Sequence, residues 1–60
     1  MNMNLLNIGD LVRYKNPSRF MHREPHKFEI GLVIGHRQGL PLVAFPSYTG
    51  TVASIHVEIL

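Results

Sequence analysis

The run Phe28-Glu29-Ile30-Gly31-Leu32-Val33-Ile34-Gly35, continued by His36-Arg37-Gln38-Gly39 and then by Leu40-Pro41-Leu42-Val43-Ala44-Phe45, decides the fold. Its first part is rich in β-branched residues, lacks proline, and has glycines where a strand bends or admits another backbone. It reads as a central strand over residues 28–35. The next four residues are polar and end in glycine, as a hairpin connection does, and Leu40 to Phe45 reads as the returning strand. Pro41 stands near the start of that strand, where a missing donor does least harm.

Towards the N-terminus, Leu11-Val12-Arg13-Tyr14-Lys15 alternates apolar and basic residues at the period of two of a half-buried strand. Asn7-Ile8-Gly9-Asp10 before it reads as a turn, with Gly9 free to take positive φ and Asp10 able to bond its own backbone. Residues 1–7 are short and without periodicity, and are expected to be a flexible arm ahead of a domain over 8–60. Between the two strands, Asn16 to Lys27 holds two prolines, charges of both signs and two histidines without alternation, which predicts a long loop. Asn16 and Pro17 can open a short helical turn there, and Pro25 is expected to stop it. Phe20 and Met21 are the side chains suited to pinning the loop.

Towards the C-terminus, Pro46-Ser47-Tyr48-Thr49-Gly50 has the composition of a second tight turn, Thr51 to Ser54 reads as a short strand, Ser54-Ile55-His56 as a single helical turn, and Val57 to Leu60 as a last strand. Short strands separated by glycine- and proline-marked turns predict an all-β fold, and in sixty residues a small five-stranded barrel with one long early loop is what fits.

Size and composition narrow the function. A chain this short buries only about 60% of the surface its unfolded form exposes, and a core of that size supplies roughly 3–5 kcal/mol. The absence of cysteine removes disulfides and thiolate metal sites and fits a reducing compartment. The formal net charge of +2 is a mild excess, well short of a dense basic stripe. The longest apolar stretch, Gly39 to Pro46, is far below the roughly 20 residues of a membrane-spanning helix. The first residues lack the basic start and apolar core of a secretion signal. A cytoplasmic location is expected.

The segments Gly9-Asp10-Leu11-Val12-Arg13-Tyr14, Ile30-Gly31-Leu32-Val33-Ile34-Gly35, Leu42-Val43-Ala44-Phe45-Pro46 and Val57-Glu58-Ile59-Leu60, in that order, resemble the Src-homology-3-like small barrels. More narrowly they are similar to short uncharacterised proteins of tailed bacteriophages, which open on a Gly-Asp-x-Val strand, carry a Gly-x-Val centre and finish on a Val/Leu-Glu-x-Leu strand. The resemblance covers about residues 8 to 60 and implies a fold, a phage origin and hence a host-cytoplasmic location, rather than a specific activity. The chain departs from the peptide-binding members in having no tryptophan and no acidic, aromatic-rich loop, which argues against proline-rich ligands. It also lacks the densely basic loops of ribosomal relatives.

No catalytic constellation is present. Ser18, Ser47 and Ser54 sit in no Gly-x-Ser-x-Gly elbow, Asp10 is the one aspartate, and Glu24, Glu29 and Glu58 are too scattered for an acid/base pair. There is no glycine-rich phosphate loop. His22 and His26, with Glu24 between them, could approach one metal ion, but Pro25 spoils the helical geometry and solvated loop histidines explain the pair as well. His36 and His56 read as turn residues. The chain is therefore expected to be no enzyme and to need no metal or cofactor.

Two binding surfaces compete. If Gly31, Val33, Val43 and Phe45 point inward, then Leu32, Ile34, Leu42 and Ala44 point outward, and a lone barrel has nothing to cover them. Leu32, Ile34 and Leu42, together with Phe20 and Met21 of the loop, are thus the candidate contacts for a protein partner, a second copy of the chain included. The other reading is that Leu5 and Leu6 or the loop itself folds over that face. Five of the six basic residues, Arg13, Lys15, Arg19, Arg23 and Lys27, lie between positions 13 and 27, interleaved with Tyr14, Phe20, His22 and His26 and flanked by Phe28. Cations for phosphates beside rings for bases are what a single-strand binder uses, so RNA or DNA is the alternative partner. Glu24 and Glu29 interrupt the run, and solvated charge over buried aromatics accounts for the same residues.

Overall fold

The computed structural model describes residues 6–16 and 24–60, and in it five strands form one antiparallel sheet. These are β1 (Leu11–Tyr14), β2 (Gly31–Arg37), β3 (Leu40–Phe45), β4 (Tyr48–Thr51) and β5 (Val57–Ile59). The spatial order is β4-β3-β2-β1-β5, so β5 returns to lie beside β1, and β4 and β5 form the two edges. The described residues contain no α-helix, only 3-10 turns at Pro25–Phe28 and Ser54–His56.

Local chemistry accounts for the first turn. The Asn7 N–H donates to the Asp10 carboxylate at 2.9 Å, the Asp10 N–H donates back to the Asn7 carbonyl at 3.0 Å, and Gly9 takes φ of 101°. The turn is then tied to the centre of the sheet, because Gly9 donates to the Val33 carbonyl and Val33 donates to that of Asp10.

The β2–β3 hairpin closes more tightly than its polar composition suggests. Arg37 pairs with Leu40, leaving Gln38 and Gly39 as the two loop residues, at φ of 53° and 81°. Positive φ at both positions is the geometry whose twist matches that of the flanking strands. Lower down, Val33 faces Val43 but Gly35 faces Leu42, so one extra residue is accommodated at Ile34. Such a bulge bends the strand and raises its local twist.

Three expectations need correction. The central strand begins at Gly31 rather than at Phe28, because Pro25 opens a 3-10 turn instead of stopping one, and that turn holds Phe28 out of the sheet. The next strand is Tyr48–Thr51 rather than Thr51–Ser54, since Phe45 pairs with Tyr48 across a turn of only Pro46 and Ser47. Gly50, which marks a turn by composition, instead sits in the ladder opposite Val43 with the Tyr48 ring lying where its side chain would be. Neither Pro46 nor Ser47 takes positive φ, so this turn lacks the twist of the primed types. Glu29 holds it from outside, its Oε1 accepting from the Ser47 N–H at 3.0 Å and the Ser47 hydroxyl at 2.9 Å.

The core lies on one face of the sheet and consists of Leu6, Val12, Val33, Val43, Phe45, Val52 and Val57, with Tyr14 packed against it. Val12, Val33 and Val43 are fully buried. Leu6, placed by its sequence position in the N-terminal arm, belongs to this inner cluster, and its carbonyl accepts a hydrogen bond from His36 Nε2 at 2.9 Å.

Candidate binding surfaces

The outer face of β1, β2 and β3 carries an apolar row. Leu11 stands opposite Leu32 and Leu32 opposite Ala44, while Ile34 and Leu42 sit beside the bulge one step along. Directly opposed side chains in an antiparallel pair have Cβ atoms about 4.5–5.5 Å apart, so the row is continuous. Leu11, Leu32 and Ile34 are 48%, 40% and 43% exposed, and Leu42 and Ala44 are half-buried. The alternation read from the hairpin therefore holds, with Gly31, Val33, Val43 and Phe45 buried and their neighbours outward. Leu6 does not cover this face, since it is packed in the core on the other side.

Next to the row on the same face, Arg13 pairs with Glu58 across β1 and β5, with Nε donating to Oε2 at 2.8 Å. Both side chains are well exposed, so the pair contributes at most about 1 kcal/mol.

A second surface forms where β1, the first 3-10 turn and the second 3-10 turn meet. His26 stacks on Tyr48 with ring centroids 4.3 Å apart and lies 5.4 Å from Phe45, and Tyr14 stacks on Phe45 at 5.8 Å. Lys27 Nζ sits 4.2 Å from the centroid of the Tyr14 ring, a cation–π placement, with Glu24 Oε1 at 3.8 Å. Two grooves adjoin along this ridge. One, of about 190 Å³, is lined by Tyr14, Lys15, Asn16, Lys27, Ile55 and His56. The other, of about 280 Å³, is lined by Arg13, Tyr14, Lys15, Lys27, Phe28 and Glu58.

Of the residues singled out by sequence, Leu32, Ile34 and Leu42 share the outer face, and Arg13, Lys15 and Lys27 converge around Tyr14. Arg19, Phe20, Met21, His22 and Arg23 lie outside the described residues, so neither the loop contacts nor a His22–His26 pair is placed. Among the described residues no three histidine, aspartate or glutamate side chains gather as metal ligands. His26 is taken up by the aromatic stack.

Sequence reasoning missed Leu11 on the outer row and Ile55 and His56 along the grooves, whereas Phe28 was read as flanking the basic cluster. Leu11 was legible, since it alternates with Val12 on the outward side. The groove residues come from segments far apart in the chain, and no local pattern joins them. No described helix is long and apolar enough to cross a membrane. Comparison with family models, curated proteins and solved structures returned no match.

Proposed function

We propose that the chain is a non-catalytic, Src-homology-3-like small barrel that binds protein through the outer face of β1–β3, a second copy of the chain being the partner the face fits. The observation that carries this reading is the row Leu11, Leu32 and Ile34, three large aliphatic side chains left 40–48% exposed on the side opposite the core. Exposed apolar rows of this kind mark interfaces, because withdrawing them from water releases about 25 cal/mol per Å². The rim favours a second copy. Arg13 and Glu58 stand side by side next to Leu11, and a two-fold axis through the row would exchange their partners between copies, as isologous contacts require.

Support for the barrel comes from the core. A sheet coiled about that face accounts for the full burial of Val12, Val33 and Val43, and the bulge at Ile34 supplies curvature. The four segments that carry the family resemblance fall on the first turn with β1, on β2, on β3 and on β5. Support for a non-catalytic role is that the glutamates have structural partners: Glu24 holds Lys27, Glu29 holds Ser47 and Glu58 holds Arg13. An accessory role in a phage-infected host cytoplasm follows from the resemblance and belongs to this proposal.

The test is molar mass by light scattering, combined with urea unfolding, for the parent chain and the double variant Leu32→Lys/Ile34→Lys. A parent dimer and a folded monomeric variant are expected. A parent chain that stays monomeric at all concentrations rejects the second-copy partner, and a variant that unfolds much more readily as a monomer shows a face covered from within.

A further inference from the structure

We infer that the double groove around Tyr14 and Lys27 is a second binding site, adjoining the outer row at Arg13 and Glu58 and built for single-stranded nucleic acid. The charge balance is the first ground. Lys15 and Lys27 belong to both grooves and Arg13 to the wider one, against one lining carboxylate, Glu58, and Glu24, whose Oε1 stands 3.8 Å from Lys27 Nζ, which leaves a net positive charge. Among the described residues the Glu58 carboxylate engages Arg13 through Nε, and the terminal nitrogens of the guanidinium can reach a phosphate.

The second ground is the aromatic placement. Phe28 is 56% exposed beside these cations, held out of the core by the 3-10 turn that Pro25 opens. A ring in that position offers a face to a base, and every base has one. A carboxylate-rich peptide would use the cations and leave the ring idle, which is why nucleic acid is the better fit.

Size is the third ground. Each groove is smaller than the roughly 300 Å³ at which compact ligand pockets begin. The two share Tyr14, Lys15 and Lys27, so they suit a ligand that runs along the ridge in repeating units, charge beside plane.

The groove adjoins the rim of the outer apolar row at Arg13 and Glu58, so the test is run beside light scattering on the same sample, and the Leu32→Lys/Ile34→Lys monomer is titrated as well as the parent. A fluorescein-labelled oligothymidylate of about 12 nucleotides is titrated with the full chain and followed by anisotropy between about 50 and 200 mM salt. Three phosphate contacts on a single strand predict a slope of log K against log salt near −2, or roughly a 20-fold loss of affinity across that range. Phe28→Leu keeps an apolar side chain but removes the ring, and should weaken binding roughly 5- to 150-fold. Lys15→Gln should lower the slope by about 0.7, with its backbone bond to His56 intact. Thermal melts confirm that both variants fold.

No binding at low salt overturns the proposal. So does equal binding of a duplex, or a Phe28→Leu variant that binds as well as the parent. Binding of a polyglutamate peptide as tight as that of the oligonucleotide, and insensitive to Phe28→Leu, assigns the groove to an acidic protein instead.

Discussion

A methyl group on Gly31 would have nowhere to go. Its carbon would lie 2.7 and 2.8 Å from Phe45 Cε1 and Cδ1, and closer still to Val43 Cγ1, all three belonging to the core. Carbon pairs are at rest near 3.5–4.0 Å, so the Phe45 ring must retreat by about 1 Å, and Phe45 is itself stacked on Tyr14. Overfilling of this kind costs about 1–3 kcal/mol, against a total of roughly 3–5 kcal/mol for a core this small. Gly31→Ala should therefore lower the melting temperature by about 4–24 °C at 4–8 °C per kcal/mol. Gly35, four residues on in the same strand, has nothing within 4 Å of the equivalent position. Gly35→Ala should leave stability unchanged or raise it by up to about 1 kcal/mol through the unfolded chain. Urea and thermal unfolding of both variants read the difference, and Gly31→Ala/Val43→Ala should be less damaged than the sum of its parts. If Gly31→Ala proves as stable as Gly35→Ala, the packing described for the inner face is wrong.

Gln38→Asn should raise the melting temperature by a few degrees, about 0.5 kcal/mol, because asparagine tolerates the positive φ of this hairpin better than glutamine. Glu29→Ala should cost about 1–2 kcal/mol in urea unfolding, since it strips the Ser47 N–H and hydroxyl of their acceptor at a turn that lacks matched twist. His36→Ala should leave the sheet intact but speed hydrogen exchange around Leu6, whose carbonyl it holds. Glu58→Gln should change monomer stability by less than about 1 kcal/mol in the same urea assay, the pair with Arg13 being exposed.

The strands whose side chains alternate cleanly were readable from the sequence. Leu11 to Tyr14, Leu40 to Phe45 and Val57 to Ile59 follow the pattern, and the alternation of Gly31, Leu32, Val33 and Ile34 correctly separates core from surface. What escaped depends on partners distant in the chain. Phe28 looks like a strand residue until Pro25 is known to start a turn, and Tyr48-Thr49-Gly50 looks like a turn until Val43 and Ala44 are found opposite. Glu29 with Ser47, His36 with Leu6 and Arg13 with Glu58 are separated by 18, 30 and 45 residues, beyond any local signal. The basic cluster was visible as composition. That its members flank Tyr14, while Phe28 and His56 complete the grooves, required β5 to return beside β1.

The Tyr14 ring touches Phe45 on the interior and Lys27 at the surface, and the chain has two tyrosines and no tryptophan. Its ultraviolet emission thus arises from Tyr14 and Tyr48 alone, undimmed by energy transfer to an indole. A ligand seated along the ridge would alter that light at once, whereas a contact on Leu32 and Ile34 would leave it steady, so an unlabelled sample can tell an observer which of its two surfaces is engaged.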